Sequence, residues 1–439
     1  MQTPISASME PSTPQLRLVR EADEPLGLFL RPGKDNHRVI TQLLSEGRVG
    51  MSGSVFDATH LSFQGNLRDA IVGKSLDAIL DPRMMELASA GGHTSPRAAL
   101  GWAAAKPHVP NDFTSKYIEQ TAEAIAQHVV GNQFTGVLAP THYLEEGQKD
   151  AWLPIDRMLT AGLRERLDAN GGEKVVIHYP LATSTKVFLD ARQRKSIKAE
   201  LAPLRIDRLW LRIHPFGSDS GDTILERYMV SCRDLHDMHV PLIAEKAGVL
   251  GLALLAFGAV SGVESGIAAG ETFDYGRLKK VVPPRAQGKN AFGRQIRVYI
   301  PGLGMFLTGR EANQFFEARS LRQFACTDKA CCPQGQESMI KDHRRHFTLS
   351  RMEEIGLIGS FPPSFRANGY LERILRPATD NIGRALSNDK LPESLRNKLE
   401  TTRKRLANWR ATLGGMVPFN TVSLSTPLDR IIRRNASIT

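Results

Sequence analysis

The stretch DRLWLRIHPFGSDSGDTILERYMVSCRDLHDMHVPLIAEKAG, Asp207–Gly248, holds one complete structural unit. Two short runs, DRLWLRIHP (207–215) and VPLIAEKAG (240–248), are rich in apolar and β-branched residues, and each carries ionisable groups near its end. Between them, SGDTILERYMVSCRDLHDM (220–238) suits a helix, with Ser and Asp at its start as caps. A near-continuous apolar strand, a helical crossover and a second such strand make a parallel βαβ unit covered on both faces.

The unit recurs in both directions along the chain. Further strand runs are LDAILDP (76–82), TGVLAPTH (135–142), KVVIHYP (174–180), GAVSGVESG (258–266), IRVYIPGLG (296–304) and RQFACTD (322–328). Helical patterns fill residues 112–130, 153–171, 184–202 and 308–322. Eight βα units close a (β/α)8 barrel, so the predicted fold class is α/β, a TIM-like barrel. A doubly wound open sheet is the alternative, but no glycine-rich dinucleotide fingerprint follows the first strand. The segment 1–75, whose start is rich in Pro, Ser and charge, is expected to form a partly disordered N-terminal arm. The barrel is then assigned to 76–330, and a Cys/His knot with a helical, basic C-terminal region to 331–439.

Composition narrows the class. The 439 residues are 41% hydrophobic and 23% charged, ordinary for a globular protein. The longest apolar run, Val249–Val260, is too short to cross a bilayer, and the N-terminus lacks the basic-then-apolar pattern of a signal peptide. A cytoplasmic protein with no membrane partner is expected. Four cysteines do not make a disulfide framework. The net charge of +11 is uneven: Leu391–Thr439 carries nine Lys/Arg against three Asp/Glu. Such a segment is either a solvated face or a surface that tracks phosphates.

In barrel enzymes the catalytic groups come from the C-terminal ends of the strands. Here those positions are Asp81, Thr141 and His142, His178, Arg212 and His214, Glu245 and Lys246, Glu264, and Cys326 with Asp328. Any one of them can simply hydrogen-bond a loop; together they point to an active site on this face. Asp81 and Glu264 are the carboxylates expected to divide acid and base work. Lys246 ends an apolar strand and suits a salt bridge, a phosphate contact or a Schiff-base amine, the first foremost. The glycine-rich GVESGIAAGETFD (262–274) suits close approach of backbone to a flat ligand, and GGHT (91–94) suits a lid.

The run FACTDKACCPQGQESMIKDHRRH (324–346) groups Cys326, Cys331 and Cys332 with His343 and His346. Four soft ligands fit a closed structural zinc site; a buried thiol cluster and a redox pair are the alternatives, the last lacking CxxC spacing. With His346 chosen over His343, the ligand set is Cys326, Cys331, Cys332 and His346. Pro333 and Gly335 supply the turn that adjacent cysteines need.

The order of these parts resembles the tRNA-guanine transglycosylase superfamily, which includes the queuine and archaeosine enzymes and relatives that insert 7-deazaguanines into DNA. The likeness lies in GIAAGE (266–271), VYIPGLG (298–304) and the cluster of Cys326, Cys331, Cys332 and His343 or His346. In place of the family's Asp-Ser-Gly-Gly-Phe-Gln signature stand Asp81-Pro82 and Gly91-Gly92. The resemblance implies a pentosyltransferase that exchanges a guanine-like base in RNA or DNA, with zinc in a structural role. It implies nucleic acid (tRNA or DNA) and a modified-guanine base as partners, and allows a homodimer. Asp81 would then be the acid/base or nucleophile and Glu264 its partner. His142, His178, Arg212, His214, Lys246, Gly270 and Glu271 would bind substrate, and Tyr143, Tyr179 and Phe216 would stack on a flipped base. A barrel acting on a small anionic metabolite, and a non-enzymatic nucleic-acid-binding barrel, are the other readings.

Overall fold

The computed structural model describes residues 25–147, 149–268, 271–281, 296–417 and 424–428. Its strands are β1 (Gly27–Arg31), β2 (Gly53–Asp57), β3 (Asp77–Asp81), β4 (Gly136–Leu138), β5 (Tyr143–Leu144), β6 (Val176–Ser184), β7 (Arg208–His214), β8 (Leu242–Glu245), β9 (Gly262–Gly266), β10 (Arg297–Ile300) and β11 (Met305–Thr308). Strands β1, β2, β3, β4, β6, β7, β8 and β9 pair in parallel in that order, and β9 returns to β1 with Gly27 opposite Gly262 and Arg31 opposite Gly266. The sheet is therefore a closed eight-stranded barrel with helices between its strands, a TIM barrel. The two-residue β5 adds to the far end of β6.

The barrel starts earlier than the sequence reading placed it. Gly27–Arg31 and Gly53–Asp57 lie inside the expected N-terminal arm, yet they form β1 and β2 and are buried, Arg31 partly so. They are short apolar runs between glycines and prolines, and a five-residue strand buried on both faces leaves no periodic signal. Conversely, 296–304 is not a barrel strand. It forms an antiparallel hairpin, β10 with β11. The run 322–328 is no strand either: Arg319–Phe324 is a 3-10 helix leading into the cysteine turn.

Inward-facing side chains explain how the barrel is filled. Successive residues of a strand face opposite sides, so positions two apart stack along the barrel axis. Phe29, Val55, Ile79, Leu138, Trp210 and Ile243 form one buried apolar layer. Leu428, from the C-terminal segment, packs into the same layer from below. Gly136 leaves room for His178, since a Cβ there would sit 2.8 Å from its Nε2. The helices Leu61–Gly73, Ser115–Gly131, Lys149–Ala169, Ala191–Leu201 and Asp222–Arg233 each bury an apolar face in the surrounding core. The C-terminal helix Glu393–Met416 packs on Asp222–Arg233, and Trp409 Nε1 donates to Ser220 O at 3.1 Å. No helix among the described residues is long and apolar enough to cross a membrane.

Candidate active site and cysteine–histidine cluster

Two residues beyond the apolar layer, the same strands turn charged. Arg31 follows Phe29, Asp57 follows Val55, Asp81 follows Ile79, Arg212 follows Trp210 and Glu245 follows Ile243, with Glu264 on β9. The pleat carries all six to the C-terminal mouth, where they form one ionic network. Arg31 sits at its centre and contacts three carboxylates from three strands: Nη1 to Asp81 Oδ2 at 2.5 Å, Nε to Glu264 Oε1 at 2.9 Å and Nη2 to Glu245 Oε1 at 3.4 Å. Arg212 bridges Glu245 at 2.9 Å and Asp81 at 3.5 Å. Arg83 joins Asp81 at 3.3 Å, Asp57 at 3.2 Å and Glu86 at 2.7 Å. Lys246 Nζ lies 3.7 Å from Glu245, the salt bridge ranked first from sequence.

Asp81 and Glu264 thus meet on one guanidinium. Their environments differ. Burial would raise Asp81, but Arg83, Arg31 and Arg212 outweigh it and hold the carboxyl far below its ordinary range. Burial raises Glu264 to about 6; Arg31 opposes the rise and the neighbouring Glu245 adds to it. Glu245, despite burial, is lowered by Arg212, Arg31 and Lys246. Burial pushes the Lys246 amine down. The mouth therefore holds ionised carboxylates and one carboxyl that keeps its proton to near neutrality, a set suited to acid–base chemistry. Arg83 and Lys246 also adopt φ of 62° and 53°, a left-handed backbone that costs about 1 kcal/mol or more in a non-glycine residue. Their ion pairs hold that conformation at the site.

Above the charges lies an apolar cap of Met85, Tyr143, Ala182 and Phe273. The Phe273 ring faces Arg212 and Lys246, each cation 5.9 Å from its centroid, and Tyr275 stacks on Tyr143 at 3.5 Å. The segment carrying these rings crosses to the loop after β3: Gly91 N donates to Leu278 O at 2.7 Å, and a Cβ on Gly91 would sit 2.1 Å from Lys280 O. A groove of about 270 Å³ opens beside the cap, lined by Tyr143, Glu145, Ser184, His214, Tyr275 and Lys279 among others. A larger groove of about 620 Å³ lies at the opposite end of the barrel, between Arg164, Lys195, Arg205 and Val240, and touches none of the mouth residues.

The other expected site residues fall elsewhere. His214 lines the groove, its Nδ1 3.1 Å from Phe273 O. His178 does not reach the mouth. β6 continues to Ser184, so His178 is mid-strand, inside the barrel, accepting from Trp210 Nε1 at 2.8 Å. Burial keeps it neutral. His142 is also fully buried: β4 ends after three residues, and the imidazole turns into the helical layer, held by Asp156 at 2.5 Å and stacked on Trp152 at 3.8 Å. Tyr179 faces away from the barrel interior into the core, and Phe216 stacks on Tyr228, so neither presents a ring to the mouth. Glu271 accepts from Ser265 Oγ at 2.8 Å and lies 3.6 Å from Arg351, joining the barrel to the helix His343–Gly359. Gly270 lies outside the described residues. Sequence reading missed Arg31, Asp57, Arg83 and Glu86.

The cysteine turn gathers four soft donors. The ligand atoms of Cys326, Cys331, Cys332 and His346 all lie within 4.8 Å of one another. Cys331 Sγ, Cys332 Sγ and His346 Nδ1 are mutually 3.6 Å apart. A tetrahedral ion with metal–sulfur distances of about 2.3 Å and metal–nitrogen of about 2.0 Å needs donor separations of roughly 3.5–3.8 Å; these three donors meet it, and with Cys326 within 4.8 Å the group is compatible with a structural metal. His346 Nε2 pairs with Tyr299 O at 3.0 Å, which fixes the tautomer and leaves Nδ1 facing the thiols. The Cys331 thiol is drawn down to about 5, chiefly by its hydrogen bond with Cys332 and also by His346. Gly335, at φ 61°, supplies the expected turn, its N–H donating to Cys332 O. His343 lies outside the cluster.

No family model and no curated protein matches the chain. Among solved structures it is similar to KGPDC from Streptococcus mutans, with 12% identity over 58% of this chain and 94% of that one and a TM-score of 0.32. It is also similar to the endo-1,4-beta-xylanase XylE of Penicillium canescens (8% identity, 54% and 82% covered, TM-score 0.36) and to a GH18 chitinase from Pseudoalteromonas aurantia (17% identity, 55% and 93% covered, TM-score 0.33).

Proposed function

We propose that the chain is a barrel enzyme of tRNA-guanine transglycosylase type, which exchanges a guanine-like base in RNA or DNA. The observation that carries this reading is the meeting of Asp81 and Glu264 on one guanidinium at the C-terminal mouth. The Cys3His cluster between hairpin and helix supports it, because the resemblance calls for a structural metal at that point of the chain. Cys326, Cys331, Cys332 and His346 would hold zinc, which here anchors the fold and takes no part in the reaction.

Roles follow from charge. Asp81, ionised by three guanidiniums, is the nucleophile for the anomeric carbon. Glu264 keeps a proton to about pH 6 and gives it to the departing base nitrogen as the glycosidic bond breaks and its electron pair moves onto the base. Asp81 is then bonded to the anomeric carbon; the incoming base attacks that carbon, the Asp81 carboxylate leaves with the electron pair of its bond, and the base returns a proton to Glu264. Arg212, Lys246 and the His214 groove lie where the substrate enters, and Phe273 must move aside to admit it. In purified protein, Asp81→Asn should abolish incorporation of labelled guanine into tRNA or DNA while leaving the fold intact. Unchanged exchange removes Asp81 from the mechanism.

One observation favours a small anionic metabolite instead. Three of the cations on Glu393–Met416 are already paired: Lys398 with Glu311, Arg405 with Asp219 and Arg410 with Glu372. Binding to RNA or DNA that falls steeply with salt supports base exchange; salt-independent absence of binding supports the metabolite.

A further inference from the structure

Glu245 and Glu264 stand side by side. They are register partners on adjacent parallel strands, and their Oε1 atoms share the guanidinium of Arg31. The second oxygen of each, Oε2, is buried and has no hydrogen-bond partner. Two neighbouring buried carboxylates are satisfied better by one proton than by two full charges. The surrounding charges decide which one keeps it. Glu245 is contacted by Arg31 from β1, Arg212 from β7 and Lys246 from its own strand end, whereas among the described residues Glu264 has Arg31 alone within ion-pair distance, with Lys246 acting on it from farther away. Asp81 on β3, beyond Arg31, is itself neutralised by three guanidiniums.

We infer that Glu245 is a positioning residue for the chemistry proposed above: its fixed negative charge, one strand over from Glu264, keeps the transferable proton on Glu264. The inference rests on that reading for its catalytic meaning, but the pairing itself does not. Glu245 stays ionised throughout the cycle. Glu264 alone loses its proton to the departing base and regains it from the incoming one, so no other proton donor is required. The opposite directions in which the two carboxyls are displaced agree with this assignment.

Carboxyl-labelled glutamate NMR on the full chain tests the pairing without substrate. With resonances assigned by Glu264→Gln, wild type should show Glu264 titrating near 6, and Glu245 should sense that same midpoint as a second inflection. Glu245→Gln should lower the Glu264 midpoint by about one pH unit or more. Glu245→Asp, which keeps the charge, should restore most of it. Independent single inflections in wild type, or a Glu264 midpoint unmoved in folded Glu245→Gln, overturn the inference; the wild-type titration decides if the Gln variant does not fold. In an exchange assay, Glu245→Gln should shift the alkaline limb of the pH–rate profile, where Glu264 loses its proton, to lower pH by the same amount. Coupled titration without exchange on any nucleic acid leaves the pair standing and removes the transglycosylase reading. Exchange without coupling does the reverse.

Discussion

Arg31 shows how far a single side chain decides the site, and how easily it escapes a reader of sequence. Its signal is faint: FLR at 29–31 repeats the apolar–x–charged ending of ILD at 79–81, WLR at 210–212 and IAE at 243–245, and VFD at 55–57 does the same. Three of these endings were legible once the strands were placed; the two in the first 75 residues were hidden with their strands. A histidine at an apparent strand end misled for the opposite reason, since only the true length of β6 shows that His178 lies within it. Removing Arg31 leaves three buried carboxylates short of a shared cation. Arg31→Met should destabilise the fold by about 3–5 kcal/mol in denaturant unfolding at neutral pH; a loss under 1 kcal/mol would mean the carboxylates find other partners. Glu264 makes a pH prediction. Its folded value of about 6 lies above the ordinary 4.5, so the native state binds the proton more strongly than the unfolded chain. Its favourable contribution is complete below pH 4.5 and is lost as pH rises through 6, on the order of 2 kcal/mol in all. Asp81, displaced the other way, contributes in full above its ordinary 3.8 and loses that contribution as pH falls below it, outside this window. Glu264→Gln should therefore flatten the stability curve between pH 4.5 and 6, and a curve identical to wild type would show that the carboxyl is not raised.

At the scale of elements, six of the eight barrel strands were found from apolar runs alternating with helical patterns, because long amphipathic helices on either side fix where a strand must lie. β1 and β2 are joined to their neighbours by the helices His37–Ser45 and Leu61–Gly73, and the composition of the first residues masked them. The hairpin strand β10 imitated a barrel strand because its residues Val298, Tyr299 and Ile300 are fully buried, in a two-stranded sheet against a helix rather than in the barrel sheet. The cysteine element is the one whose spacing spoke directly. Its turn, the histidine tautomer and the carbonyl of Tyr299 tie the hairpin to the helix His343–Gly359. Metal analysis of the purified protein should give about one zinc per chain. Cys331→Ser should lose that metal, and a strong chelator should lower the melting temperature. Full metal content in Cys331→Ser would assign the cluster to buried thiols instead.

Across the whole molecule the two ends of the barrel are separated by the apolar layer of Phe29, Val55, Ile79, Leu138, Trp210 and Ile243. Charge and the grooved mouth lie above it. Below it, the segment 424–428 closes the base: Ser425 Oγ meets Ser261 Oγ at 2.7 Å, Arg208 reaches Asp77 at 2.5 Å and the Leu428 carbonyl at 3.5 Å, and the Leu428 side chain fills the remaining space. In barrel enzymes residues at this end serve stability, while residues at the C-terminal end serve chemistry. Leu428→Ala should then cost about 2–5 kcal/mol, as a large-to-small change in a packed interior does. The cavity it leaves would be dry and apolar, at a distance from every ionised group of the mouth, so the Glu264 titration should keep its midpoint near 6. A variant that loses stability and also moves that midpoint would show that the apolar layer transmits strain between the ends, and that the mouth depends on the plug beneath it. A variant that moves neither would show that the base is closed by the serine contacts alone.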